Sequence, residues 1–379
     1  MSARTSSGPG ILTRILGSQW FVSVLAVLIA FVIGAVLIAL SGASVLDAYY
    51  AMFRGSIVDP NAATFVRQIK PLTDSLFYSI PLIISGLGLA LGFRAGLFNI
   101  GGKGQIIVGA LAAVWVGFAV NLPPVVHTLV ALLVAIVAGG LYAGIAGVLK
   151  AKTGANEVIV TIMLNSIATL GLGYTLAQKA WQVPGTNQPV TPKVADSAAF
   201  ARLLPAPFKL HVGFLVALLA LVAFWWLIER STLGFQIRAV GANAAAARTA
   251  GISVERITAI TMVLSGAFLG LAGANEALGT IGYVSRDVAG SIGFDAITVA
   301  LLGRNKTWGT FGAGLLFGAF KAGGYTMQAK GVPIDMILIL QSVIVLLIAA
   351  PALVRWLFHL PDARALAANT RKGNADEHK

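Results

Sequence analysis

Between Trp20 and Leu40 the chain runs for 21 residues without a single charge. A hydrocarbon layer about 30 Å thick takes roughly 20 such residues to cross as a helix. Inside lipid, backbone N–H and C=O groups must be satisfied within the spanning structure, so a run like this has to be helical. Similar runs recur along the chain. Ten apolar cores can be read, at 20–40, 73–92, 105–120, 125–149, 157–178, 212–228, 257–278, 293–303, 309–324 and 335–354. The third, eighth and ninth are the shortest or richest in glycine. The pattern predicts an all-α polytopic membrane protein with about ten transmembrane helices, a single transmembrane domain over residues 1–379.

Composition agrees. Only 11% of the 379 residues are charged and 57% are hydrophobic, where a soluble domain carries about 25% charged residues. The 43 glycines suit close helix packing in lipid, because small residues let backbones approach. The first run follows Arg4 and Arg14, and its core exceeds the roughly 7–15 residues of a signal peptide. It therefore reads as a retained span that starts in the cytoplasm.

The net charge of +13 does not require nucleic acid, since excess Lys and Arg also fixes membrane orientation. With the N-terminus inside, 17 of the 27 Lys and Arg fall on the inner side. This places the tails 1–19 and 355–379 and the loop 229–256 in the cytoplasm. The outer loop 179–211 is rich in Pro, Gly and polar residues. It is either a plain connector or a surface for an external partner.

With no cysteine, the chain has no disulfide, thiolate metal site or cysteine nucleophile. Its four histidines are scattered, so no metal centre is expected. No paired carboxylates or Ser-His-Asp set appear, so catalysis and a cofactor are not expected. The acids within the spans form no proton relay.

One polar loop, Ser231–Arg256, contains a short helix with both ends written out. Asn243 can cap its first turn. Ala244–Ala247 are strong helix formers, Arg248 suits the last turn, and Gly251 can stop it in a left-handed conformation. About two turns cannot stand alone in water, so a partner protein is a candidate to hold it.

The stretch GFRAGLFNIGGKGQIIV, Gly92 to Val108, interrupts the membrane pattern. Irregular backbone at membrane depth needs protein or a water-filled cavity around it. The break either lines a cavity or forms a cytoplasmic turn. It misses the spacing of a nucleotide-binding loop by one residue, and Gly104 stands where that loop needs Ser or Thr. The chain is not expected to bind ATP itself.

Further along, Asn156 and Glu157 suit the start of the fifth span, and Asn165 two turns in should face the bundle interior. Glu276 lies at the outer end of the seventh span, either at a vestibule or at the interface. Asp295 near the start of the eighth either complements the helix dipole or serves as a pathway acid. Ile84–Gly92 (ISGLGLALG) and Leu264–Gly273 (LSGAFLGLAG) form a weak repeat. The two copies would run in opposite directions, an inverted repeat of the kind transporters use. Pairs such as Gly140/Gly144, Gly266/Gly270 and Gly314/Gly318 have spacing suited to packing within the chain.

Four blocks carry a family resemblance: GFRAGLFNIGGKGQIIVGA at 92–110, GANEVIVTIMLN at 154–165, TLGFQIRAVGANAAAARTAGI at 232–252, and GFDAITVALLGRNKTWGTFGAGLLFGAFKAGG at 293–324. Through them the chain resembles permease subunits of bacterial ABC importers, in the superfamily of ribose and branched-chain amino-acid permeases. The branch for nucleosides and related simple sugars is the most similar. Lys103 departs from that branch, which implies an acidic residue there in many members.

The resemblance implies a multi-pass subunit of the bacterial inner membrane, in contact with lipid. A second, non-identical permease would complete the pore, with a cytoplasmic ATP-binding subunit and an external substrate-binding protein or lipoprotein. Arg238, Gly241, Asn243, Ala244, Ala245, Ala247, Arg248 and Gly251 would then form the coupling site for the ATPase. Phe98, Asn99, Gln105, Asn165, Glu276 and Asp295 are candidates to line the pore. An ion-gradient-driven transporter of a small polar solute is the rival reading.

Overall fold

The computed structural model describes residues 19–333 and, beyond them, 338, 339, 342, 343, 346 and 347. The tail before residue 19, the tail 355–379 and most of the expected core 335–354 lie outside the described residues. Helices dominate: α1 (Gln19–Leu40), α2 (Val45–Ser56), α3 (Phe65–Arg94), α4 (Gly102–Ala119), α5 (Val126–Thr153), α6 (Glu157–Ala177), α7 (Gly213–Trp225), α8 (Thr232–Ala242), α9 (Ala244–Thr249), α10 (Val254–Asn275), α11 (Ile292–Leu302) and α12 (Thr307–Gln328). π-helical turns extend α7 over Trp226–Arg230 and α10 over Glu276–Thr280.

Among the described residues, six helical stretches are long and apolar enough to cross a membrane. They are Phe65–Arg94, Gly102–Ala119, Val126–Thr153, Glu157–Ala177, Gly213–Arg230 and Val254–Thr280. Val27–Leu40 and Ile292–Leu302 are apolar but shorter.

The described residues form two compact units, one from residues up to Ala51 and from Gly324 onward, the other from Met52–Gly323. In the first, the Tyr49 hydroxyl donates to the Phe31 carbonyl and the two rings meet edge to face at 5.4 Å.

The second unit is built around α10, which packs on α3, α4 and α5. Its contact with α5 is backbone on backbone. A Cβ added to Gly270 would lie 2.2 Å from the Ala135 carbonyl, and one on Gly266 would lie 2.3 Å from that of Gly139. Lipid supplies no hydrophobic drive between helices, so their association relies on this close van der Waals fit. Gly314 and Gly318 bring α12 equally close to Ile83, Ser75 and Ser79 of α3.

The loop 179–211 is pinned in place. Thr191 and Val194 donate backbone N–H groups to Val284 and Gly282, Phe200 to Leu278, and Ala195 to Gly117. His127 adds a contact to Ser197 at 2.8 Å through one ring nitrogen, and a contact to the Val116 carbonyl at 2.9 Å through the other.

Candidate functional site

The break after α3 is the first cluster of predicted residues. At the end of α3, the Leu97 N–H bonds back to the Gly92 carbonyl, and Gly96 takes φ +73°. A left-handed backbone of this kind favours glycine. The chain then runs through Asn99 to Gly101, where α4 begins. Asn99 donates to Gln105 Oε1 and to Ser265 Oγ, each at 3.0 Å. Its own Oδ1 accepts from Gly101 N at 2.9 Å and from Gln105 Nε2 at 3.0 Å. Asn165 of α6 accepts from Gly104 N and donates to the Ile100 carbonyl, both at 2.8 Å. Thr161 Oγ1 accepts from Ile100 N at 3.2 Å.

Asn99, Gln105 and Asn165 leave no buried side-chain polar atom without a partner, as buried amides require. Asn99 and Gln105 are each 1% exposed, so they face each other inside the bundle, not an open cavity. Ser265 lies near the middle of the stretch Val254–Thr280. The break is therefore enclosed by protein alongside the midpoint of a long helix. Neither sequence alternative, the cavity wall or the cytoplasmic turn, describes these two residues.

Asn165 also borders an open groove of about 660 Å³, together with Lys103, Ser166, Thr169 and Phe294. Phe98 is partly exposed beside Phe93, with ring centroids 4.9 Å apart. The other two predicted residues lie elsewhere. Glu276 is buried at the start of the π turn, where Thr280 Oγ1 donates to it at 3.1 Å. Asp295 is half-buried in the first turn of α11 and accepts from Ser291 Oγ at 2.6 Å.

The second cluster is the pair α8–α9. Ser231 caps α8 by accepting from Gly234 N at 2.9 Å. Asn243 caps α9 by accepting from Ala246 N at 3.0 Å. Gly251 takes φ +84°, with its N–H on the Arg248 carbonyl and Ile252 N–H on that of Ala247. The two-turn helix and its stops thus form as the residues dictate. Ala247 is buried, while Ala244 and Ala245 are exposed. A groove of about 550 Å³ runs between the two helices, lined by Phe235, Gln236, Ala239, Ala246, Ala250 and Ile252 among others.

Arg248 pairs with Glu255 at 2.7 Å, so part of its charge is used within the chain. Arg238 does not border the alanine groove. It lines a second one of about 460 Å³ with Arg94, Glu229, Lys306 and Trp308. Gly241 lines neither groove itself, yet it lies against the end of α3. A Cβ there would fall 2.0 Å from the Arg94 carbonyl.

Sequence reasoning missed Ser265, and it noted Lys103 as an inner-side charge and a departure from the nucleoside branch but not as a candidate site residue. Ser265 carries no sequence signal beyond its place in the glycine repeat.

Long apolar helices, a break buried at their midpoint and a capped polar helix pair define a polytopic membrane protein of transport type. Residues 72–349 match the family of the branched-chain amino acid transport system / permease component. The chain belongs to this permease family. It is 39% identical over 349 residues to the guanosine ABC transporter permease protein NupP of Bacillus subtilis (strain 168), covering 89% of this chain and 95% of that one. It is 36% identical over 333 residues to the glucose ABC transporter permease protein TsgB13 of Haloferax volcanii, covering 85% of each. A second Bacillus subtilis protein, the guanosine ABC transporter permease protein NupQ, is 29% identical over 268 residues, covering 66% of this chain and 79% of that one. No solved structure matches the chain.

Proposed function

We propose that this chain is a pore subunit of an ATP-driven importer of nucleosides or related simple sugars. The observation that carries this is the likeness, over 89% of its length, to a permease named for guanosine transport. The likeness to a glucose permease keeps simple sugars within the substrate class. The chain itself is a conduit without an ATPase site.

Energy would enter through α8 and α9. An ATP-binding subunit would seat on the alanine groove and around Ala244, Ala245 and Ala247, with Asn243 and Gly251 fixing the helix ends and Arg238 and Arg248 at its margins. Gly241 would pass movement to α3 through its backbone contact with Arg94. Coupling requires each nucleotide state to favour one permease state.

The remaining partners are a second permease and an external binding protein or lipoprotein. Bacillus subtilis has two non-identical permeases named for guanosine, and this chain is more like one than the other. This favours a non-identical second permease over a homodimer. About ten spans in the bacterial inner membrane, with both tails and 229–256 in the cytoplasm, agree with the charge distribution. An inverted repeat agrees with two long helices, α3 and α10, each followed by an irregular segment. Asn165, Phe98, Glu276 and Asp295 remain proposed contacts of the pore, and Asn99 and Gln105 act from behind its wall.

A mild-detergent pull-down of the tagged chain from its native membranes, read by mass spectrometry, tests the proposal. An ATP-binding subunit and a second permease should accompany it. Recovery of the chain alone, under conditions that preserve known complexes, would count against it.

A further inference from the structure

Lys103 stands where a lysine is expensive. It lies in the first turn of α4, where a cation opposes the helix dipole. The first turn of α11 abuts the same point, since a Cβ on Gly293 would fall 2.4 Å from the Lys103 backbone nitrogen. Next to it, a Cβ on Gly102 would come within 3.5 Å of Leu269, which is past the midpoint of the 27-residue stretch Val254–Thr280. The residue is therefore at membrane depth by its neighbours along the helices. A charge at that depth is costly and normally paired, yet Lys103 has no ion pair among the described residues. The nearby acid Asp295 is bonded to Ser291 instead.

The side chain borders the groove of about 660 Å³. That groove holds the Ser166 and Thr169 hydroxyls, the Asn165 amide, the exposed Phe294 ring and three aliphatic side chains, Ile100, Ile162 and Leu170, with no carboxylate. Its size lies within the range of small-molecule sites, about 300–1,000 Å³. An ammonium and two hydroxyls, one of them (Thr169) already donating to the Asn165 backbone carbonyl, share the groove with an aromatic ring, a lining that suits a solute rich in oxygen on one edge and flat or apolar on another.

We propose that Lys103 is a specificity-determining residue of the translocation path, contacting the passing solute and favouring those that present carbonyl, hydroxyl or anionic oxygens over cations. This rests on the reading of the chain as a pore subunit. The ammonium donates to the solute oxygen as it passes the break, and it repels cationic solutes of the same size.

The absence of cysteine makes a clean test possible. Lys103→Cys is assembled with the ATP-binding subunit, second permease and binding protein in proteoliposomes, and ATP-dependent uptake of labelled guanosine, ribose and glucose is followed. Loss of a charged hydrogen bond should slow uptake roughly tenfold at saturating binding protein. Reaction of the thiol with aminoethyl methanethiosulfonate appends an ammonium and should restore uptake to within about threefold. The sulfonatoethyl and methyl reagents should not. Lys103→Arg should retain uptake and Lys103→Met should lose it, which covers a cysteine variant that fails to assemble. Unchanged uptake in Lys103→Cys, a thiol that none of the three reagents reaches, or identical effects of all three adducts would overturn the proposal. Absence of ATP-dependent uptake by the unsubstituted complex would instead remove the pore-subunit reading itself, and the proposal with it.

Discussion

The Cα of Gly241, at the end of α8, packs against the carbonyl of Arg94 at the end of α3, so closely that a Cβ would fall 2.0 Å from that oxygen. Arg94 in turn donates through Nε to the Asn305 carbonyl at 2.8 Å, in the loop between α11 and α12. Three separate parts of the chain thus meet at Arg94, one through its backbone carbonyl and one through its side chain. The break that holds Asn99 begins just beyond it. A displacement of the α8–α9 pair has a direct mechanical route into the bundle, without a chain of side chains in between.

This contact yields the first prediction. Gly241→Val forces α8 away from Arg94. ATP-dependent uptake by the assembled importer should fall at least tenfold, while membrane insertion and recovery stay near those of the unsubstituted chain. Equal uptake in both would show that the contact transmits nothing.

A second prediction concerns the surface of α9. Ala245 is exposed and bears no structural load, so Ala245→Trp should leave folding intact and block the seating of the ATP-binding subunit. Co-purification of that subunit should be lost and uptake abolished. Arg248→Glu should act the same way and also lose the Glu255 ion pair. That pair is exposed to solvent on both sides and contributes little to stability. Normal co-purification in both variants would exclude α9 from the docking surface.

The polar lock around the break makes a third. Asn99→Leu leaves Gln105, Ser265 and the Gly101 N–H without their partner, and unmet buried groups cost about 1–3 kcal/mol. The detergent-solubilised chain should unfold at a lower temperature than the unsubstituted one. Asn165→Leu should do likewise, through Gly104 and Ile100. A thermal midpoint unchanged in both variants would show that the network is not holding the break.

Much of this was legible in the residues, and the part that was not has a physical reason. Asn243 and Gly251 state their roles locally, because a cap and a left-handed stop depend on neighbours in sequence. Asn99 looked like a residue facing a cavity, because an amide among glycines at membrane depth needs polar company. Its company turned out to be Gln105 and Ser265, and the second of these is 166 positions away. No sequence pattern announces such a pairing. The same holds for Arg238, which is close in sequence to the alanine groove but belongs to a different one with Lys306. The glycine pairs were readable as packing sites, but which helix each would meet was set by topology.

Acid sensitivity supplies a fourth prediction. His211 is buried at the end of the loop 179–211, against the rings of Phe77 and Phe200, and its Nδ1 accepts from Gly213 N at 3.0 Å. Burial lowers its pKa from 6.5 to about 4. The folded protein therefore binds this proton less readily than the unfolded chain. Stability from this residue is complete above about pH 6.5 and falls as the pH drops towards 4, by roughly 3 kcal/mol in all. His211→Asn, whose amide oxygen can accept the same bond, should flatten the thermal midpoint across that window. A wild-type midpoint that is already flat from pH 7 to 4 would contradict the assignment.

The central claim is that this chain conducts solute only as part of an ATP-driven assembly. Uptake of labelled guanosine, ribose and glucose into proteoliposomes tests it most directly, comparing the purified chain alone under an imposed proton or sodium gradient with the chain assembled with its ATP-binding subunit, second permease and binding protein. The account predicts uptake in the assembled complex, strictly dependent on ATP, and none by the chain alone. Gradient-driven uptake by the chain alone, indifferent to ATP, would contradict it.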